Sequence, residues 1–244
     1  MLQMKIDIKS FKEFLNLVSM LNQEVKVDFT QEGFFVKTMD QARISLMEIR
    51  VNKDALQEYM LDSDFTLGLD TEAVKNFLKV APQGIMEMSE NQGKLSIKVG
   101  LLSAGFGEVD PTLINVPAAP KMEYTNSFIA DRSALKEGFT AADMISDFVK
   151  ISMDASGVKI TAEKEPDHET TMELSLPREQ LKEFVHESDA RSYFSMDYFV
   201  RLLQGADSVG EFKVSIGQDY PLKLESDFLH GKGKLLFIMA PRLL

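Results

Sequence analysis

The side chains best suited to catalysis are few in this sequence, and no motif joins them. Its three histidines, His168, His186 and His230, stand in polar, loop-like stretches, so neither a metal site nor an acid–base pair is read from them. Cysteine is absent, which removes thiol nucleophiles, Cys-ligated metals and disulfide frameworks. Gly231-Lys232-Gly233-Lys234 lacks the preceding spacing and the following hydroxyl of a phosphate-binding loop, and no GxGxxG fingerprint occurs. Asp62-Ser63-Asp64, with Asp40 elsewhere, offers carboxylates that a Mg²⁺-dependent nuclease could use, but an acidic triplet in a polar stretch between strands reads first as a turn. The fourteen methionines suit adaptable packing or a partner groove better than a cofactor box. The expectation is a protein that is not an enzyme and has no cofactor or metal.

The chemistry the sequence does carry is electrostatic. Helical periodicity predicts helices over 9–21, 72–80, 133–144 and 197–204. Their inward residues are Phe11, Phe14, Leu15, Val18 and Leu21, then Val74, Phe77 and Leu78, then Leu135, Phe139 and Ala142. The opposite faces carry Lys9, Lys12 and Asn16, then Lys75 and Lys79, then Lys136, and finally Arg201. Lysine is a good exposed helix former, and Glu13, Glu72, Glu137 and Asp143 dilute the pattern. Even so, a basic residue on the free side of every helix stands out in a chain of net charge −11. Such contacts to a phosphate backbone are blind to sequence and sensitive to salt.

The elements that must position these residues come in two similar sets. The first runs strand (4–8), helix, a hairpin (25–29 and 34–38 around Gly33) and a strand over 44–51. A loop or helical turn over 53–59 follows, then a strand (65–69), the helix capped by Asp70, a hairpin (85–89 and 94–99) and a short strand over 104–109. From Phe128 the order restarts with strand, helix and hairpin, where VKVDFTQEGFFVKT at 25–38 is answered by VKISMDASGVKITA at 149–162. Strands over 172–176 and 192–196 lead to a helix that Asp197 is expected to cap, as Asp70 caps its counterpart. Strands over 211–216, 222–225 and 234–239 finish the set. Two units with one element order imply an internal duplication.

At 244 residues, 44% hydrophobic and 27% charged, the chain has the composition of a globular protein with room for two cores. No window approaches the roughly 18 apolar residues of a membrane span, and MLQMKIDIKSFKEF does not read as a signal peptide. Between the halves, NVPAAPKMEYTNSFIAD at 115–131 holds Pro117 and Pro120, with Pro111 just upstream. Proline restricts its own φ and that of its predecessor, so this connector is stiff and extended, with Met122 and Tyr124 at strand spacing.

Several segments resemble the sliding clamps of the proliferating cell nuclear antigen (PCNA) type, particularly archaeal ones. They are Lys37-Thr38-Met39-Asp40, Ala141-Ala142-Asp143-Met144-Ile145-Ser146-Asp147, Tyr193-Phe194-Ser195-Met196-Asp197-Tyr198, Gly217-Gln218-Asp219-Tyr220-Pro221-Leu222 and Met239-Ala240-Pro241-Arg242. Their order and spacing run over essentially the whole chain. The resemblance implies an α+β DNA clamp fold, with two similar domains of β-sheets backed by two helices (1–114 and 128–244) joined by a connecting loop over 115–127. It also implies a trimeric ring around double-stranded DNA in the cytoplasm of an archaeal cell, tethering replication and repair enzymes. The implied partners are the PIP-box proteins, such as DNA polymerase, the clamp loader, flap endonuclease and DNA ligase.

Carried over by position, the resemblance places Lys9, Lys12, Asn16, Lys75, Lys79, Lys136, Thr140, Arg201 and Gln204 along the DNA channel. Met39, Ile44, Leu46, Met122, Tyr124, Ile238, Ala240 and Pro241 become the partner-peptide pocket, with extended backbone at 124–127 and the tail offered to partner main chain. Subunits would join through edge strands, 104–110 meeting 170–176, with Ala104, Phe106 and Glu108 facing Thr170, Met172 and Leu174. Two departures stand out: Glu137 and Thr140 occupy positions that are basic in many relatives, and no acidic tail follows Arg242. Readings from other classes are a metal-dependent nuclease using Asp62 and Asp64, and a protein-binding scaffold with no DNA role.

Overall fold

The computed structural model describes residues 1–91, 93–119, 121–164 and 169–242. The chain divides into two compact units, Met1–Ala118 with Phe228–Leu235, and Ala119–Asp227 with Leu236–Leu244.

The first unit contains β1 (Leu2–Asp7), α1 (Ile8–Ser19), β2 (Glu24–Thr30), β3 (Gly33–Met39), β4 (Ser45–Asn52), β5 (Glu58–Leu61), β6 (Phe65–Asp70), α2 (Thr71–Val80), β7 (Ile85–Asn91), β8 (Lys94–Val99) and β9 (Leu102–Gly107). The second contains β10 (Asn126–Asp131), α3 (Arg132–Asp143), β11 (Phe148–Asp154), β12 (Gly157–Glu163), β13 (Thr171–Pro177), β14 (Lys182–Val185), β15 (Ala190–Ser195), α4 (Met196–Gly205), β16 (Glu211–Ile216) and β17 (Leu222–Phe228). Strand β18 (Gly233–Met239) begins in the first unit and ends in the second. A 3-10 turn follows β4 at Lys53–Ala55 and, at the equivalent point, follows β13 at Arg178–Gln180.

The expected duplication is complete in this architecture. In the first unit the strands run β5-β1-β7-β8-β9 in one sheet and β4-β3-β2-β6 in a second run; in the other unit the orders are β14-β10-β16-β17-β18 and β13-β12-β11-β15. Substituting β10 for β1 and continuing in sequence converts one order into the other. Strands alternate buried with open residues, so one face of each looks inward, as in Val25, Val27 and Phe29 on β2 or Val149, Ile151 and Met153 on β11.

Each core holds a cluster of aromatic rings among a larger number of aliphatic side chains. In the first unit Phe11 meets Phe14 at 5.6 Å, Phe14 meets Phe34 edge-on at 5.1 Å, and Phe29 stacks on Phe65 at 5.1 Å. In the second, Phe139 of α3 stacks on Phe199 of α4 at 4.1 Å, and Phe194 approaches Phe199 edge-on. Full burial of one such ring contributes about 1.5–3 kcal/mol, so these rings hold the helices to the sheets.

Helix starts separate the two units. Asp7 Oδ1 accepts from the amides of Lys9 and Ser10, and Asp70 Oδ1 from those of Glu72 and Ala73, closing two free N–H groups in each case. Asp197 does not cap α4, contrary to expectation: the helix begins one residue earlier, with Ser195 at the cap position and Asp197 inside the first turn. Strand β9 also starts and ends earlier than expected, so Glu108 lies beyond it, and the 53–59 segment ends in the start of β5. Among the described residues no helix is long and apolar enough to cross a membrane.

Candidate nucleic-acid interface and partner-docking site

The basic residues sort into those that face solvent and those held within their unit. Lys9, Asn16 and Lys79 are exposed and Lys12 is half-buried on the helix pair α1–α2, whose partners pack side by side. Lys75 is held back: its Nζ donates to Ser19 Oγ of α1 at 2.8 Å. Burial, then the neighbouring Lys79 charge, lowers its ammonium pKa. Lys79 Nζ donates along its own helix to Asn76 Oδ1 at 2.8 Å and stays in solvent. On the α3–α4 pair Lys136, Thr140, Arg201 and Gln204 are all exposed. The Arg201 guanidinium is braced by a bond from Nε to Asp197 O and by the Tyr198 ring, 5.3 Å away. Glu137 and Asp143 are exposed on α3, so this helix, like α4, carries as many acids as bases.

The residues carried over as subunit contacts lie on, or next to, the edges of two sheets. Strand β9 ends one sheet and β13 ends another, so each has one side without a ladder partner in its own sheet. Ala104 and Phe106 on β9 are half-buried, with Phe106 edge-on to Phe77 of α2 at 5.9 Å. Met172 and Leu174 on β13 are half-buried too, and Leu174 lies against Gly138 of α3 so closely that a Cβ there would stand 2.4 Å from its Cδ2. Glu108 and Thr170 fall just outside their strands.

Of the residues expected to take a partner peptide, Met39 and Leu46 pair across β3 and β4, with Met39 half-buried, Leu46 buried and Ile44 exposed. The loop between these strands is tied by Asp40, whose Oδ1 accepts from Ser45 N at 2.6 Å, and Arg43 holds a left-handed φ of 59°. Beside it, a cleft of about 500 Å³ is lined by Asn22 to Glu24, Met39 to Gln41, Arg43 and residues 113–117. In the second unit Met122 and Tyr124 are half-buried, Ile238 is buried on β18, and Ala240 and Pro241 follow it half-buried.

The main chain is less open to partners than the sequence implied. Asn126 and Ser127 already pair within β10, Ser127 opposite both Val185 and Ser215, and Arg242 N donates to Tyr193 O at 2.7 Å. Sequence reasoning also missed Tyr220 and Lys223, which enclose Tyr124: the Tyr220 ring is 5.4 Å away edge-on and Lys223 Nζ 5.3 Å from its centre. Only the motif Gly217–Leu222 pointed at this turn, without assigning it a role.

Among the described residues, groups suited to catalysis do not converge. Asp62 pairs with the N-terminal amine at 3.3 Å, and His186 stacks on Phe184 and meets Asp189 at 3.0 Å. His230 is exposed in the β17–β18 turn, and His168 lies outside the described residues. Gly231 and Gly233 serve that same turn, Gly233 against the Phe228 ring. Among the described residues no group of three or more acidic or histidine side chains could hold a metal ion.

Comparison with known proteins bears on the fold. Residues 1–98 match the family described as the proliferating cell nuclear antigen, N-terminal domain. The DNA polymerase sliding clamps of Thermoplasma volcanium and Methanococcoides burtonii are each 27% identical to this chain, over 100% of it and 99% of their own length. A. fulgidus PCNA, solved with the C-terminal region of FEN-1 bound, superposes with a TM-score of 0.91 at 25% identity, covering 100% of this chain and 99% of that one. PCNA from Thermococcus kodakaraensis superposes at 0.88 over 99% and 100%, at 19% identity, a likeness of fold. The duplicated fold is therefore that of a sliding clamp. More narrowly, the chain is similar along its whole length to archaeal DNA polymerase sliding clamps, and its first 98 residues match the PCNA N-terminal domain.

Proposed function

We propose that the chain is a non-catalytic processivity clamp, which closes with two further subunits into a ring around duplex DNA and tethers polymerase and other replication and repair enzymes to it. The observation that carries this reading is that each unit holds a side-by-side helix pair with exposed cations and one open sheet edge, β9 in the first unit and β13, the counterpart of β4, in the second. Joined head to tail, β9 of one subunit and β13 of the next satisfy each other's open edges, and three equal joints close. The helices then line the bore. Lys9, Lys12, Lys79, Lys136 and Arg201 touch phosphates, with Asn16, Thr140 and Gln204 as neutral neighbours, while Lys75 acts mainly through its bond to Ser19.

Contacts of this kind hold DNA without fixing a register, so the ring slides. Its contribution to synthesis is to keep a bound enzyme from diffusing away. Enzymes such as polymerase, the clamp loader, flap endonuclease and ligase dock through a short PIP-box segment that presents one aliphatic and two aromatic side chains. That segment is received by Met39, Ile44, Leu46, Met122, Tyr124, Ile238, Ala240 and Pro241.

Charge reversal tests the DNA side of this account. Lys12→Glu, Lys79→Glu and Arg201→Glu together should shorten polymerase products on primed circular DNA and reduce the salt slope of DNA retention by up to about three units. Native mass should be unchanged. Full-length products at unchanged salt dependence would instead support a protein scaffold with no DNA role.

A further inference from the structure

Residues 121–126 alternate between open and inward positions: Lys121, Glu123 and Thr125 are exposed, Met122 and Tyr124 half-buried, and Asn126 buried. The connector is laid down like a strand here, although residues 121–124 pair with none. What holds it is side-chain contact. The Tyr124 hydroxyl donates to Met122 Sδ at 3.3 Å, its ring meets Tyr220 at an interplanar angle of 73°, and Lys223 Nζ stands over the same ring. Lys223 is itself steadied by Glu225 at 2.9 Å. Two residues on, the Asn126 side-chain oxygen accepts from the amide of Glu187 at 2.9 Å.

Tyr220 is braced from behind. Its amide donates to Ser192 Oγ at 3.0 Å, and that buried hydroxyl donates to Gly217 O at 2.9 Å. Asp219 N donates to Arg191 O and Arg191 N to Gln218 Oε1, so the β16–β17 turn is bound on both sides to the start of β15. The Tyr220 side chain also lies directly over Gly217, where an added Cβ would stand 2.9 Å from its own Cβ. A braced aromatic ring that meets a loop ring edge-on is a mounting point for the loop.

We propose that Tyr220 and Lys223 are positioning residues that fix Met122 and Tyr124 of the connector in a preset wall for partner peptides. The inference rests on the docking role proposed above. A peptide that meets a preset wall does not bear the entropic cost of ordering the loop, so it binds more tightly at equal contact area. Tyr220 and Lys223 act on affinity through Tyr124.

Trypsin and a synthetic PIP-box peptide, with one aliphatic and two aromatic side chains, test this on the intact chain. Trypsin reads the pin directly, because Lys121 is exposed and cleavage after it requires the Met122 side to lift away. Tyr220→Ala should speed cleavage at Lys121 up to about tenfold and weaken the peptide up to about tenfold, the upper scale of losing one aromatic pair. Native mass should not change. Tyr220→Phe keeps the ring and should restore both, and Lys223→Gln should give a smaller shift of about threefold in each. Unaltered cleavage and affinity in Tyr220→Ala would overturn the proposal, as would a loss that Tyr220→Phe fails to restore. If the unsubstituted chain ignored the peptide, the docking role would fail, while the Lys121 cleavage rates would still decide whether Tyr220 pins the connector.

Discussion

Tyr59 shows how one side chain can tie a fold to pH. Its hydroxyl donates to Thr30 O at 2.8 Å and Gly33 O at 3.0 Å, gripping both ends of the β2–β3 turn. Burial, and then the Asp64 charge, push its phenol pKa from 10.0 up to about 12. The folded chain therefore holds this proton more tightly than the unfolded one. The stabilisation is complete below about pH 10 and is lost as pH rises through about 12. Urea midpoints across that window should fall more steeply for the native sequence than for Tyr59→Phe; parallel curves would contradict the assignment. The sequence marked 53–59 as a loop or turn and gave no hint that Tyr59 bonds to Thr30, a contact that needs the folded sheet. The Asp70-Thr71 pair was legible as a helix start because it directly precedes the apolar-periodic run, and the structure puts the cap on Asp70. The start of α4 was not legible in this way, since Ser195 and Asp197 flank it and only the backbone decides between them.

At the scale of elements, the duplication reaches down to single glycines. Gly33 opens β3 with φ 131° and Gly157 opens β12 with φ 149°; a Cβ would fall 2.0 Å from Val51 O at the first and 2.3 Å from Leu176 O at the second. Both conditions exclude a side chain, so Gly157→Ala should cost about 1–3 kcal/mol in denaturant unfolding. Stability equal to the unsubstituted chain would refute that reading of the turn. The VKxxxxxxG pattern of the two hairpins made this pair readable from sequence. Strands β5 and β14 were not readable, being four residues each, EYML and KEFV, with little alternation. They exist because β1 and β10 offer them a ladder. Tyr220 and Lys223 were missed for a related reason: their role depends on a turn folding back onto a connector almost a hundred residues earlier, and no local pattern records that.

For the whole molecule, a net charge of −11 and a DNA-encircling role are compatible because only the helix faces need be basic. In the ring proposed above, the thin basic lining of α3 favours loose, sliding contact. All of this rests on ring closure, and native mass over a dilution series tests it most directly. Sedimentation or native mass spectrometry should find a species near three times 27.5 kDa down to micromolar concentration. A 27.5 kDa monomer at that concentration, unchanged by adding related clamp chains, would contradict the account.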